Sequence, residues 1–156
     1  MADEVVNEEA SGGSSPETEA PEAPKTPPGK ALRELVDAEY PGAILEQTAY
    51  EDREDEVTFV LADDALVKVA TYLRDHPASS FKILTDLTAA HYPDDENTFQ
   101  VVYQLVSVDH SRLLRLKVMV KESQEVPTVS GVWSSANWME REVYDLFGVD
   151  FKGHPD

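Results

Sequence analysis

The chain has 156 residues, enough for one domain with its own core and too few to expect two. Its net charge is −18, which argues against any sequence-independent attraction to nucleic acid or anionic lipid and makes a basic partner the more plausible one. There is no cysteine, so disulfides, thiolate-held iron–sulfur clusters and thiol catalysis are excluded within these residues.

The first thirty residues, MADEVVNEEASGGSSPETEAPEAPKTPPGK, hold five of the ten prolines and no Leu, Ile or aromatic residue. Such a segment cannot bury enough apolar area to offset its ordering entropy, so residues 1–30 are expected to be a disordered acidic tail. Seven acidic residues against Lys25 and Lys30 give it −5, leaving −13 on residues 31–156. The folded part is itself acidic.

Leu32, Leu35, Val36 and Tyr40 make the stripe of a short amphipathic helix that stops before Pro41 and Gly42. AILEQTAY (43–50) and EVTFVLA (56–62) read as two strands joined by the charged turn EDRED. DDALVKVATYLRDHP reads as a second helix, with Asp63 or Asp64 as N-cap, Leu66, Val69, Ala70 and Leu73 on one face, and Pro77 ending it. From residue 81 the pattern has period two. FKILTDLTAAHYP (81–93) is a strand; Phe99, Val101, Tyr103 and Leu105 then mark one face of the next, and Leu114, Leu116, Val118 and Val120 one face of a third. The connection DHS (109–111) between the last two marks a β-hairpin.

SSANWMEREVYDLFG (134–148) reads as a C-terminal helix, with Asn137 and Glu140 compatible with a capping box and Gly148 just past its end. Met139, Val143, Leu146 and Phe147 form one apolar stripe that faces the core or a partner. The fold class expected is α+β: a two-layer domain over 31–156 in the order α-β-β-α-β-β-β plus the C-terminal helix, with a mixed sheet and helices on one face.

Chemistry is sparse. No phosphate-binding glycine loop, His-Glu-x-x-His or Gly-x-Ser-x-Gly is present. His76, His91, His110 and His154 are scattered, DDEN (94–97) lacks the length and glycine of a calcium loop, and neither cofactor nor metal binding is expected of this chain. Glu140 and Glu142 point to nearly opposite sides of a helix, so they are not an acid and base pair. Arg141 and Asp145 are spaced for an i, i+4 salt bridge, and Trp138 lies one turn before Glu142. Charges on such a face, buried against another chain, need counter-charges from across the interface. That favours docking over catalysis, with a free-standing acidic adaptor and an unrecognised hydrolase as the competing readings. No signal-peptide or membrane-spanning apolar run is visible.

The closing stretch ANWMEREVYDLFGVDFKGHPD (136–156) resembles the signature of the 30 kDa, or C, subunit family of NADH:quinone oxidoreductase, respiratory complex I. Glu140, Arg141, Glu142, Asp145, Leu146, Phe147 and His154 match it at the family spacing, and VVYQLVSV, RLLRLKVMV and VPTVSGVWSSANW look like family strands and the approach to the signature. The family pattern runs on into a basic arm, whereas this sequence stops at Asp156, so the domain is expected without that arm. The resemblance implies a non-catalytic, cofactor-free peripheral subunit on the cytoplasmic side of the membrane, held there through the complex and next to subunits D and B. Electrons would pass from NADH through FMN and iron–sulfur clusters in other subunits to quinone. Glu140, Arg141, Glu142, Tyr144, Asp145, Phe147, Gly148 and His154 would lie at the subunit interface. Similar subunits serve in membrane-bound hydrogenases, the photosynthetic NDH complex and coenzyme F420 dehydrogenases, so the electron donor stays open.

Overall fold

A computed structural model describes residues 29–50, 53–94 and 99–156, without the side chains of 50 and 53–55. The expected tail therefore lies outside the described residues except for Gly29 and Lys30, as do residues 51 and 52 of EDRED and most of DDEN.

Helix α1 is Lys30–Glu39, and it buries Leu32 and Val36. Strands β1 (Ile44–Tyr50) and β2 (Arg53–Leu61) pair antiparallel. β2 starts at Arg53, so the turn is shorter than the five-residue EDRED. The Asp63–Ala65 segment is a single 3-10 turn rather than a side-chain cap: Asp63 accepts from the Asp64 backbone N–H at 2.9 Å and from Gln124 Nε2 at 2.7 Å. Helix α2 (Leu66–Asp75) follows, with Leu66, Val69, Ala70 and Leu73 buried as the periodicity requires.

Strands β3 (Ile83–His91), β4 (Phe99–Ser107) and β5 (Arg112–Val120) form an antiparallel meander. The tight turn at 108–111 carries Ser111 at φ 51°. It is clasped by the α2–β3 loop: Ser80 Oγ donates to Asp109 at 2.5 Å, Lys82 Nζ lies 3.2 Å from the same carboxylate, and the His110 ring contacts the Pro77 carbonyl at 2.8 Å. β5 then inserts beside β2 in parallel, giving the order β1-β2-β5-β4-β3 and a mixed five-stranded sheet.

Alternation along the strands divides the sheet. Phe59, Leu61, Tyr103, Leu105, Leu114, Leu116 and Val118 point into one core with the apolar residues of the helices, while Arg115, Lys117, Gln104 and Val102 occupy the other, uncovered face. Helix α3 (Ala136–Phe147) packs over the β3 side of that core. Sequence periodicity does not announce the small parallel ribbon of β6 (Val126–Pro127) and β7 (Phe151–Lys152), each two residues long. Val126 N–H donates to Asp150 O at 2.9 Å and Thr128 N–H to Lys152 O at 3.0 Å, which ties the segments before and after α3 together.

Candidate functional site: the two sides of helix α3

The approach to α3 is anchored at several points. Trp133, 5% exposed, donates its indole N–H to the Phe81 carbonyl at 3.1 Å, and Arg74 Nη1 donates to the Val132 carbonyl at 2.7 Å. Gly148 ends the helix at φ 70°, the left-handed conformation that suits glycine, and donates its N–H to Tyr144 O. That end is as the sequence predicts.

The start is not. Asn137 lies inside the helix, and Ser135 at its N-cap makes no capping hydrogen bond there. Glu140, the expected partner in a capping box, is turned inward and has no exposed surface. One oxygen accepts from the Val129 N–H at 2.7 Å and the other from the Thr128 hydroxyl at 2.5 Å. The buried stripe is thus Ala136, Glu140 and Val143, a spacing of i, i+4, i+7. Reading every charge as exterior rotates the predicted stripe away from this one. Val143 is buried and Met139 and Phe147 are half-buried, but Leu146 is 69% exposed.

Desolvation raises the Glu140 pKa above the usual carboxylate range; the hydrogen bonds from Thr128 and Val129, and then His154, pull the other way. Tyr103, buried beneath, is pushed well above the ordinary phenol value, first by burial and then by the Glu140 charge. His154, whose side chain is largely buried, has Nε2 3.0 Å from the Asn137 carbonyl and 3.7 Å from Glu140, while Nδ1 accepts from the Asp156 N–H at 3.2 Å. That pattern fits the tautomer with the proton on Nε2. The anticipated Arg141–Asp145 bridge gives way to another pair, Arg141 Nη1 to Asp156 Oδ2 at 2.6 Å. Glu140 and His154 therefore fasten α3 to the loop before it and to the segment after it.

The residues on the opposite side are presented to solvent. Trp138 is 72% exposed and Tyr144 54%; Glu142 and Asp145 are exposed beside them. Trp138, Glu142, Asp145 and Leu146 follow i, i+4, i+7, i+8 spacing and line a shallow groove of about 410 Å³, with the Arg141 guanidinium 5.3 Å from the Trp138 ring centroid. A second cleft of about 480 Å³ lies on the Tyr144 flank, between Arg141 and the closing segment. Of the residues expected at an interface, Arg141, Glu142, Tyr144, Asp145 and Gly148 are at the surface, Phe147 half so, His154 with its side chain only 9% exposed, and Glu140 not at all. Trp138 belongs with the exposed group, though its type alone does not show it. Its place relative to the buried Ala136 and Glu140 does.

Among the described residues no group of three or more His, Asp or Glu is arranged to hold a metal, and no helix is long and apolar enough to cross a membrane. Taken together, these elements define a two-layer α+β domain whose last long helix presents Trp138, Tyr144 and Leu146 to solvent. Residues 59–156 match the profile of the family described as respiratory-chain NADH dehydrogenase, 30 Kd subunit, and the chain belongs to that family. It is 43% identical over 128 residues to the C subunit of the NADH-quinone oxidoreductase of Methylobacterium sp. (strain 4-46), an alignment covering 81% of this chain and 58% of the relative. It is 47% identical over 102 residues to the probable mitochondrial NADH-ubiquinone oxidoreductase 30.4 kDa subunit of Candida maltosa, covering 65% of this chain and 37% of that one. This chain thus spans about three-fifths of the length of the bacterial relatives it matches.

Solved structures are similar to this chain as well, among them the following two. A trypsin-resistant fragment (1–134) of Nqo5 superposes with a TM-score of 0.64 at 32% identity, covering 81% of this chain and 98% of that one. A chain of the membrane-bound sulfane sulfur reductase, an archaeal respiratory membrane complex, gives 0.65 at 26%, covering 81% and 71%.

Proposed function

We propose that this chain is a non-catalytic peripheral subunit of a proton-translocating NADH:quinone oxidoreductase, docked through the outward side of α3. The observation that carries the reading is the exposure of Trp138, Tyr144 and Leu146 on a helix whose inner side is tied down by Glu140 and His154. Exposed apolar surface on a fixed helix is what a partner covers. Family membership supplies the kind of assembly.

In this reading the neighbours are subunits D and B, and the complex sits on the cytoplasmic side of the membrane. Arg141, Glu142, Tyr144, Asp145, Phe147 and Gly148 line the contact, while Glu140 and His154 shape it from within. FMN and the iron–sulfur clusters belong to other subunits, in keeping with a chain that has no thiolate to offer. A related reading, an equivalent subunit in a complex with another electron acceptor, is supported by the likeness to a chain of the sulfane sulfur reductase.

The test is co-purification. A tagged full-length chain should bring down NADH:quinone reductase activity from solubilised membranes, and Trp138→Ser with Leu146→Ser should lose that activity while melting like wild type. If the double variant still brings down full activity, α3 is not the docking face. Activity with another donor or acceptor, in place of NADH and quinone, would favour the related reading.

A further inference from the structure

The chemistry of the partner follows from where the charges on α3 go. Arg141 is engaged by Asp156 at 2.6 Å and not by Asp145. Among the described residues neither Glu142 nor Asp145 then has a cation within ion-pair distance. Both carboxylates lie between Trp138 and Leu146 along the exposed face, so a surface that covers the two apolar side chains covers the two acids as well. Stripping water from two uncompensated carboxylates costs more than covering one indole and one leucine returns. A purely apolar partner would be rejected, and an acidic one repelled.

We propose, resting on the docking reading above, that the groove on α3 receives an apolar segment of a neighbouring subunit bearing two cationic side chains, arginine or lysine, one for Glu142 and one for Asp145. Their aliphatic stems lie along Trp138 and Leu146, and their heads reach the carboxylates. The pairing sets orientation as well as affinity, because a segment shifted by one helical turn leaves one acid bare. The Arg141–Asp156 pair keeps this chain's own guanidinium from neutralising Asp145 before the partner arrives.

The experiment is rebinding of the full-length chain to the otherwise complete assembly from which it has been removed, followed by sedimentation across a KCl series. Wild type should weaken as salt rises. Glu142→Gln with Asp145→Asn should bind about tenfold more weakly at low salt, equivalent to about 1.4 kcal/mol, and lose most of its salt dependence. Glu142→Lys with Asp145→Lys should not bind. Trp138→Ser with Leu146→Ser should bind weakly yet keep its salt dependence. If the neutral pair binds as wild type does while the Trp138 and Leu146 variant fails, the cationic partner is wrong and the docking face stands. If wild type does not rebind, or neither set of substitutions matters, the docking face falls too.

Discussion

Glu140→Ala is the most informative single substitution, because it separates a buried structural carboxylate from an interface charge. The side chain is fully buried and accepts from the Val129 N–H at 2.7 Å and the Thr128 hydroxyl at 2.5 Å. Hydrogen bonds to a charged group contribute about 1.5 to 3 kcal/mol each, so two removed together cost about 3 to 6 kcal/mol gross. Part is returned, since the carboxylate no longer has to be desolvated, and a net loss of about 3 kcal/mol remains. At about 3 to 5 °C per kcal/mol for a domain of this size, the melting temperature should fall by about 10 to 15 °C. Glu140→Gln keeps an acceptor for Val129 and offers its amide to the Thr128 oxygen, so it should lose about 1 kcal/mol. The assay is thermal unfolding of the isolated full-length chain followed by circular dichroism. A Glu140→Ala melt within about 2 °C of wild type would show that α3 and the loop before it do not depend on this carboxylate.

The same residue carries a pH signature. Burial holds its pKa above the usual carboxylate range, so the folded chain keeps this proton more tightly than the unfolded chain. The stability this contributes is fully present below the ordinary value of about 4.3 and is lost as pH rises through the raised one. Urea midpoints should therefore show the advantage of wild type over Glu140→Gln shrinking from pH 4 to pH 7, and a constant gap would refute it. Arg141→Ala breaks an ion pair whose side chains are 48% and 62% exposed, so it should cost less than about 1 kcal/mol of folding stability. A loss of several degrees in the melt would mean the pair holds the domain together. Gly29→Ala should destabilise more than Gly148→Ala. Both sit at positive φ, but a Cβ on Gly29 meets the γ-carbons of buried Val57 at 2.9 Å, whereas one on Gly148 meets nothing within 4 Å. Trp133→Phe leaves the Phe81 carbonyl without its indole donor and should cost about 1 to 3 kcal/mol, read from the denaturant midpoint.

Amino-acid order by itself determined where most elements lie and, α3 apart, which face of each turns to the core. Leu66, Val69, Ala70 and Leu73 are all buried, as are Tyr103 and Leu105 on β4 and Leu114 and Leu116 on β5, because side-chain period and backbone geometry are local properties. Gly148 marks the end of α3 for the same reason: the left-handed cap is a one-residue requirement. Tertiary structure decided what depends on residues far apart in the chain. The placing of β5 beside β2, the ribbon that joins residues 126–127 to 151–152, and the pairing of Arg141 with Asp156 are all long-range choices with no periodic trace. Glu140 is the sharpest instance. By type it belongs to the surface, and it is buried because the loop at Thr128 and Val129 presents two donors that only the folded chain brings to it. That burial turns α3 so that Trp138 and Leu146 face outward, and so sets which side of the helix is left for a partner.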